Sequence, residues 1–147
     1  MQQDILEFQG QHRWLSNFWP VNIELDGIIY KSVEHAYMSA KSDDPEWKKT
    51  CAGDFKPGMI KKMSRSKKLA EDWDVKKLIV MEECIRKKFT QEPFKLMLVA
   101  TGNCFIQEGN HWGDTFWGID MRYRPVDGKN HLGRLIMKIR NELHGSI

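Results

Sequence analysis

Cysteine is scarce: the three present, Cys51, Cys84 and Cys104, are an odd number with no CxxC spacing. A disulfide framework and a zinc knuckle both need paired or closely spaced thiols, so neither is expected, and a reducing cytoplasm is the compartment that fits. Long apolar runs are also missing. No stretch approaches the roughly 18 apolar residues of a bilayer span, and residues 1–20 lack a basic start followed by an apolar segment, so the expectation is an unexported chain with no membrane partner. The glycines form neither GxGxxG nor GxxxxGK[ST], which leaves a dinucleotide fold and a phosphate-loop NTPase without support. His12, His35, His111, His131 and His144 include no HxxxH or HExxH pair, and no metal or other cofactor is expected. Internal repeats, low-complexity stretches and linkers are lacking as well. With 41% apolar and 29% charged residues the chain is too apolar for disorder, and its 147 residues suit one domain, residues 1–147.

What the chain does have is an uneven charge distribution beneath a net charge of +3. Residues 1–47 carry 8 acids against 3 bases, whereas residues 48–68 carry Asp54 alone against eight bases. Lys48, Lys49, Lys56, Lys61, Lys62, Arg65, Lys67 and Lys68 make a density that attracts phosphates, of a nucleotide or of a nucleic acid. A solvated helix face is the plain alternative. The six tryptophans are the second feature, several of them beside turn residues (Trp19-Pro20, Trp112-Gly113, Trp117-Gly118). Rings so placed serve either a core or a stacking platform for planar bases.

Residues 4–9 and 21–30 alternate as strands do, with Asp26-Gly27 as the turn of a hairpin. Ser32 is placed to cap a helix running to about Ser42, with Val33, Ala36, Tyr37 and Ala40 as its buried stripe. Short helices are expected around 46–51 and 57–63, then a long one over 66–89 with Leu69, Trp73, Val80, Met81, Cys84 and Ile85 on its apolar side. Glu92-Pro93 starts a helix through Ala100, which Thr101-Gly102-Asn103 stops. Residues 104–106 and 115–117 are short extended candidates around a turn-rich 109–113. The last helix, about 130–143, buries Leu132, Leu135, Ile136, Ile139 and Leu143 and leaves Arg134, Lys138 and Arg140 outside. The sum is an α+β fold, mostly helical, with a small antiparallel sheet.

Three places could carry chemistry. Glu34 and Lys41 are seven residues apart on one helix, which returns them to within about 20° of each other and about 10 Å apart along the axis. A partly desolvated carboxylate and an amine flanking a gap of sugar size suit cleavage of a glycosidic bond; two solvated helix charges are the alternative. Lys77 lies four residues after Trp73 and four before Met81, beside the apolar side of the long helix, where a lysine amine becomes a nucleophile. Lys76 is equally long, and spacing alone does not decide which of the two points inward. The segment Asp127-Gly128-Lys129-Asn130 precedes the last helix, and free backbone N–H groups there, with Lys129, would make an anion site.

Taken in order, these segments resemble the YbiA-like family, also called the NADAR (NAD- and ADP-ribose-associated) superfamily. The resemblance runs from Leu15-Ser16-Asn17-Phe18 and Ser32-Val33-Glu34-His35-Ala36-Tyr37 with Lys41 through Trp73, Lys77 and Met81. It continues in Thr101-Gly102, Asp114-Thr115-Phe116-Trp117-Gly118 and Gly128-Lys129-Asn130-His131-Leu132-Gly133. What it implies is an N-glycosidase that cleaves the bond between a phosphorylated ribose and a base, acting on riboflavin-pathway ribosylamino-pyrimidine phosphates or on ADP-ribosyl-guanine. Its partner is then a phosphorylated ribosyl or ADP-ribosyl substrate, or a nucleic acid carrying ADP-ribosyl-guanine. The resemblance further implies Glu34 as acid or base, Lys77 or Lys41 as covalent nucleophile, and Asp114 and Asn130 on ribose hydroxyls or water. Trp73 and Trp117 would wall the base, Arg65 and Lys129 would take phosphate, and Asn17, Phe18 and Gly118 would complete the substrate contacts. Two departures border these positions: Ser64 stands where the family usually has glycine, and residues 119–127 replace a shorter glycine-rich stretch. A non-catalytic module that binds ADP-ribose or nucleic acid is the alternative.

Overall fold

The computed structural model describes residues 3–145. In chain order the elements are β1 (Ile5–Glu7), a 3-10 turn (Gly10–Leu15), β2 (Ile23–Leu25), β3 (Ile28–Tyr30), α1 (Val33–Ala40), α2 (Pro45–Ala52), α3 (Pro57–Met63) and a 3-10 turn at Ser64–Ser66. There follow α4 (Trp73–Phe89), α5 (Phe94–Ala100), β4 (Ile106–Asn110), β5 (Ile119–Asp120) and α6 (His131–Gly145). They divide into two compact units, Asn17–Thr90 and the remainder, Met1–Ser16 with Gln91–Ile147. Helix outweighs strand in an α+β fold, and no helix among the described residues is long and apolar enough to cross a membrane.

The unit Asn17–Thr90 starts from the expected hairpin, β2 antiparallel to β3 with Leu25 opposite Ile28. Asp26 and Gly27 both take positive φ, 51° and 84°, the backbone of a tight two-residue turn. Ser32 caps α1 by accepting the His35 backbone N–H at 3.1 Å. Sequence periodicity predicts one buried stripe on α1, yet every residue from Val33 to Ser39 is buried. The helix is central: α2, α3, α4 and the hairpin all pack on it. Asp44 caps α2 ahead of Pro45, and the Trp47 indole N–H reaches across to the Met38 carbonyl at 2.8 Å. The long helix is shorter than its pattern predicts, starting at Trp73 rather than near 66. Residues 67–72 are held elsewhere, with the Ala70 N–H donating to the Lys41 carbonyl at 2.7 Å and Asp72 at φ 58°. Leu69, expected on the apolar side, is therefore exposed.

In the other unit the sheet is one the pattern did not foresee, since β1, β4 and β5 run parallel in the order β1-β4-β5. The antiparallel pairing expected of the fold is the β2–β3 hairpin. The extended segment placed at 115–117 is not a strand; pairing falls at Ile119–Asp120 and reaches back into Gly109 and Asn110 of β4. α6 packs on β4 and buries Leu132, Ile136 and Ile139, and a side chain in place of Gly133 would run into the Ile106 carbonyl and Asn130. Arg140, expected outside, is buried. Its guanidinium donates to the Cys104 carbonyl at 2.8 Å and to Thr101 Oγ1 at 3.0 Å, and these charge-assisted bonds compensate its burial.

Candidate active site

The predicted residues fall into two groups, one in each unit. In Asn17–Thr90 the central group is Glu34, Lys41, Ser64 and Arg65. Glu34 sits in the first turn of α1 with 6% of its surface exposed, and its backbone N–H donates to the Asn17 carbonyl at 3.0 Å. Lys41 caps the other end of the same helix, and its Nζ donates to the Ser64 hydroxyl at 3.3 Å. Burial lowers the Lys41 pKa, the Glu34 carboxylate opposes that by favouring the ammonium, and Arg65 and Lys61 add to the lowering. An acid and an amine two helical turns apart thus interact through a partly desolvated space, with Arg65 exposed at its edge.

His35, next to Glu34, is a buried residue that spacing did not single out. Its Nε2 lies 2.7 Å from the Phe55 carbonyl, which only accepts, so Nε2 carries a proton. In the neutral ring Nδ1 then takes the Ser32 hydroxyl proton across 2.6 Å. The start of α1 is thereby pinned to the loop that leads into α3. Lys88 was missed as well. It is 1% exposed, and burial brings its pKa down to about 7. The signal was present, because Lys88 follows the buried Cys84 by four residues and so shares its helix side.

The other residues of this unit are placed less suggestively. Lys77 is partly exposed and pairs with Asp74 at 3.3 Å, one turn back along α4. Trp73 is 7% exposed with its ring packed against Tyr37, centroids 5.3 Å apart, an arrangement suited to a wall rather than a free stacking surface. Asn17 is half-buried and its amide donates to the Met81 sulfur; Phe18 is half-buried close to Gly58. Burial pushes the Cys51 and Cys84 thiols up to about 12, so neither supplies a thiolate at neutral pH.

In the second group the structure overturns the anion site at the start of α6. The N–H groups of Lys129, Asn130, His131 and Leu132 are not free; they donate to the carbonyls of Thr115, Gly118, Phe116 and Trp117. Asn130, at φ 53°, spends both ends of its amide on backbone, donating to the Ile106 carbonyl and accepting from the Glu108 N–H. One Asp114 carboxylate oxygen accepts from the N–H groups of Phe116 and Trp117 at 3.0 and 2.9 Å, which folds the loop in which Trp117 packs edge-on to Phe116. Gly118 is required by close approach, since a side chain there would strike the Glu108 carbonyl. A cleft of about 520 Å³ in this unit, lined by Asp4, His12, Trp14, Met97 and Thr101 among others, contains none of the predicted residues. Among the described residues no cluster of three or more His, Cys, Asp or Glu is placed to hold a metal ion.

A family model described as the NADAR domain matches residues 7–144. The chain belongs to the NADAR family. It is 30% identical to the N-glycosidase YbiA of Escherichia coli over 97% of this chain and 91% of that one. It is 31% identical to an N-glycosidase of Nostoc punctiforme, covering 87% of this chain and 83% of the relative. A riboflavin biosynthesis protein of Vibrio vulnificus is 32% identical over 97% of this chain, which spans only 39% of that relative's length. The NMR structure of E. coli YbiA covers 99% of this chain and 88% of its own with a TM-score of 0.84 at 28% identity. This NADAR chain thus shares the YbiA fold along nearly its whole length.

Proposed function

We propose that this NADAR chain hydrolyses the N-glycosyl bond between a phosphorylated ribose and a nitrogenous base, with Glu34 as acid and base and Lys41 as the attacking amine. That it is an N-glycosidase in general follows from relatives of that name matched over most of their length. The substrate and the residue roles are our reading, as is treating residues 1–147 as one NADAR domain. The observation supporting the roles is that Glu34 and Lys41 stand at the two ends of one buried helix, where burial, with Arg65 and Lys61 adding to it, lowers the Lys41 pKa. A lysine inclined toward its neutral form has the lone pair that attack requires.

In the first step the Lys41 lone pair bonds to C1′ as the bond from C1′ to the base breaks, and the departing nitrogen takes the Glu34 proton. In the second, water adds to C1′ and gives a proton to the Glu34 carboxylate, while the bond between C1′ and Lys41 breaks and the amine recovers its electron pair. Arg65, exposed beside Lys41, takes the substrate phosphate. Trp73 serves as a wall. Trp117, Gly118, Asp114, Lys129 and Asn130 lie in the other unit, and their part in substrate binding rests on the family resemblance.

The test is product analysis by mass spectrometry with ADP-ribosyl-guanine DNA and with the ribosylamino-pyrimidine phosphate, using the wild type and Glu34→Gln. Glu34→Gln is expected to lose about 10²- to 10⁴-fold in turnover with its folding unchanged; a wild-type rate removes Glu34 from the mechanism. Opening of the sugar ring, with a proton moving from nitrogen to O4′, turns the intermediate into an iminium that borohydride reduces to a stable adduct. Peptide mapping is expected to find that adduct on Lys41, and an adduct on Lys77 would transfer the role. Cleavage of neither substrate, with both still bound, would favour the non-catalytic module.

A further inference from the structure

We propose that Ser64 is a positioning residue that holds and orients the Lys41 amine. The proposal rests on Lys41 being the reactive amine. Ser64 is 1% exposed, at the junction of α3 and the 3-10 turn that follows. A serine hydroxyl has a single proton, and here it goes to the Lys61 carbonyl at 2.6 Å. Toward Lys41 Nζ, 3.3 Å away, Ser64 therefore presents lone pairs only. It accepts more strongly from the ammonium than from the neutral amine, and in the neutral amine that bond confines the lone pair to the two remaining tetrahedral positions on nitrogen. A free lysine samples many rotamers, so this confinement bears on the attack itself rather than on binding.

The position matters because the other charges around Lys41 are opposed. Glu34 on α1 favours the ammonium, and Lys61 on α3 and Arg65 on the 3-10 turn disfavour it. Ser64 lies between the two bases in sequence and supplies a neutral acceptor for the Lys41 amine. Removing that acceptor withdraws support from the charged form, so the amine titrates at lower pH.

A purely structural serine makes a different forecast. The bond to the Lys61 carbonyl closes a helix end, and its loss alone would change stability without moving the titration of Lys41. The readout is therefore the pH dependence of amine labelling at Lys41, followed by peptide mass spectrometry in wild type, Ser64→Ala, Ser64→Gly and Ser64→Thr, alongside the pH profile of kcat. In Ser64→Ala and Ser64→Gly the labelling midpoint is expected to fall by about half a pH unit. kcat should drop about tenfold with KM nearly unchanged, and Ser64→Thr, which keeps the hydroxyl, restores both. An unshifted midpoint in either folded variant overturns the proposal, as does a shift that threonine fails to restore. Failure of the underlying reading shows separately, as wild-type turnover in Lys41→Met, and the labelling experiment needs no substrate at all.

Discussion

At Lys88 the side chain that would normally reach water is enclosed in the last turns of α4, with its ammonium 5.2 Å from the centroid of the Phe89 ring. The folded chain releases its proton from about pH 7, whereas in the unfolded chain a lysine holds it to about 10.4. Between those values the unfolded state binds more protons, so this residue makes stability rise with pH across that window. Its cost is greatest at and below pH 7 and fades as pH approaches the unfolded value. Lys88→Met, of similar length and apolar, is accordingly expected to stabilise the protein by about 1–3 kcal/mol at pH 7. The gain should shrink steadily toward pH 10 when read from urea midpoints at constant m. A destabilised variant at pH 7 would mean that the amine gains more from its neighbours than burial takes away. The same comparison bears on activity, because a buried lysine with a near-neutral pKa is what a reaction centre selects; turnover by Lys88→Met at the wild-type rate would confine the residue to packing.

At the scale of elements, α1 depends on a bridge that no propensity encodes. His35 joins Ser32 at the helix cap to the Phe55 carbonyl ahead of α3. His35→Ala leaves the Phe55 carbonyl and the buried Ser32 hydroxyl without these partners, an expected loss of about 1–2 kcal/mol. His35→Gln, whose amide can reach the Phe55 carbonyl, should recover part of it in the same denaturant melts; equal losses in the two variants would assign the effect to ring packing. The contrast marks what was legible beforehand. Ser32, Asp44 before Pro45, and Asp26-Gly27 act through neighbours in sequence, and the elements they bound stand where the sequence placed them. The α4 start, the parallel sheet and the true partners of residues 129–132 depend on groups far along the chain, such as the Lys41 carbonyl that holds Ala70 and the carbonyls of 115–118 that fill the α6 start. No local pattern reports those. In the candidate site the seven-residue spacing of Glu34 and Lys41 was readable, whereas Ser64 became an acceptor only once α3 folded and its proton was spent.

Over the whole molecule the net charge of +3 says little until it is sorted by what each charge already touches. Of the eight bases in 48–68, Lys48 donates to the Ser39 carbonyl, Lys49 pairs with Glu46, and Lys67 lies over the Trp47 ring. Lys56, Lys62 and Lys68 are exposed, their ammonium groups making no hydrogen bond or ion pair among the described residues, and Arg65 is exposed beside them in sequence. A ribosyl monophosphate needs one or two of these charges, while a nucleic acid bearing ADP-ribosyl-guanine can use all of them. Three or four phosphate contacts should weaken binding about 20- to 50-fold between 50 and 200 mM salt, against a few-fold for one contact. The measurement is a salt titration of affinity for a short modified DNA strand beside the free nucleotide, on a Glu34→Gln background so that neither is consumed. Changing Lys56, Lys62 and Lys68 together to glutamine should flatten the slope for the strand and leave the nucleotide's affinity nearly untouched. A shallow slope for both ligands would make these lysines ordinary solvated charges and point to a free metabolite, since a polymer that bound there could not avoid releasing its counterions.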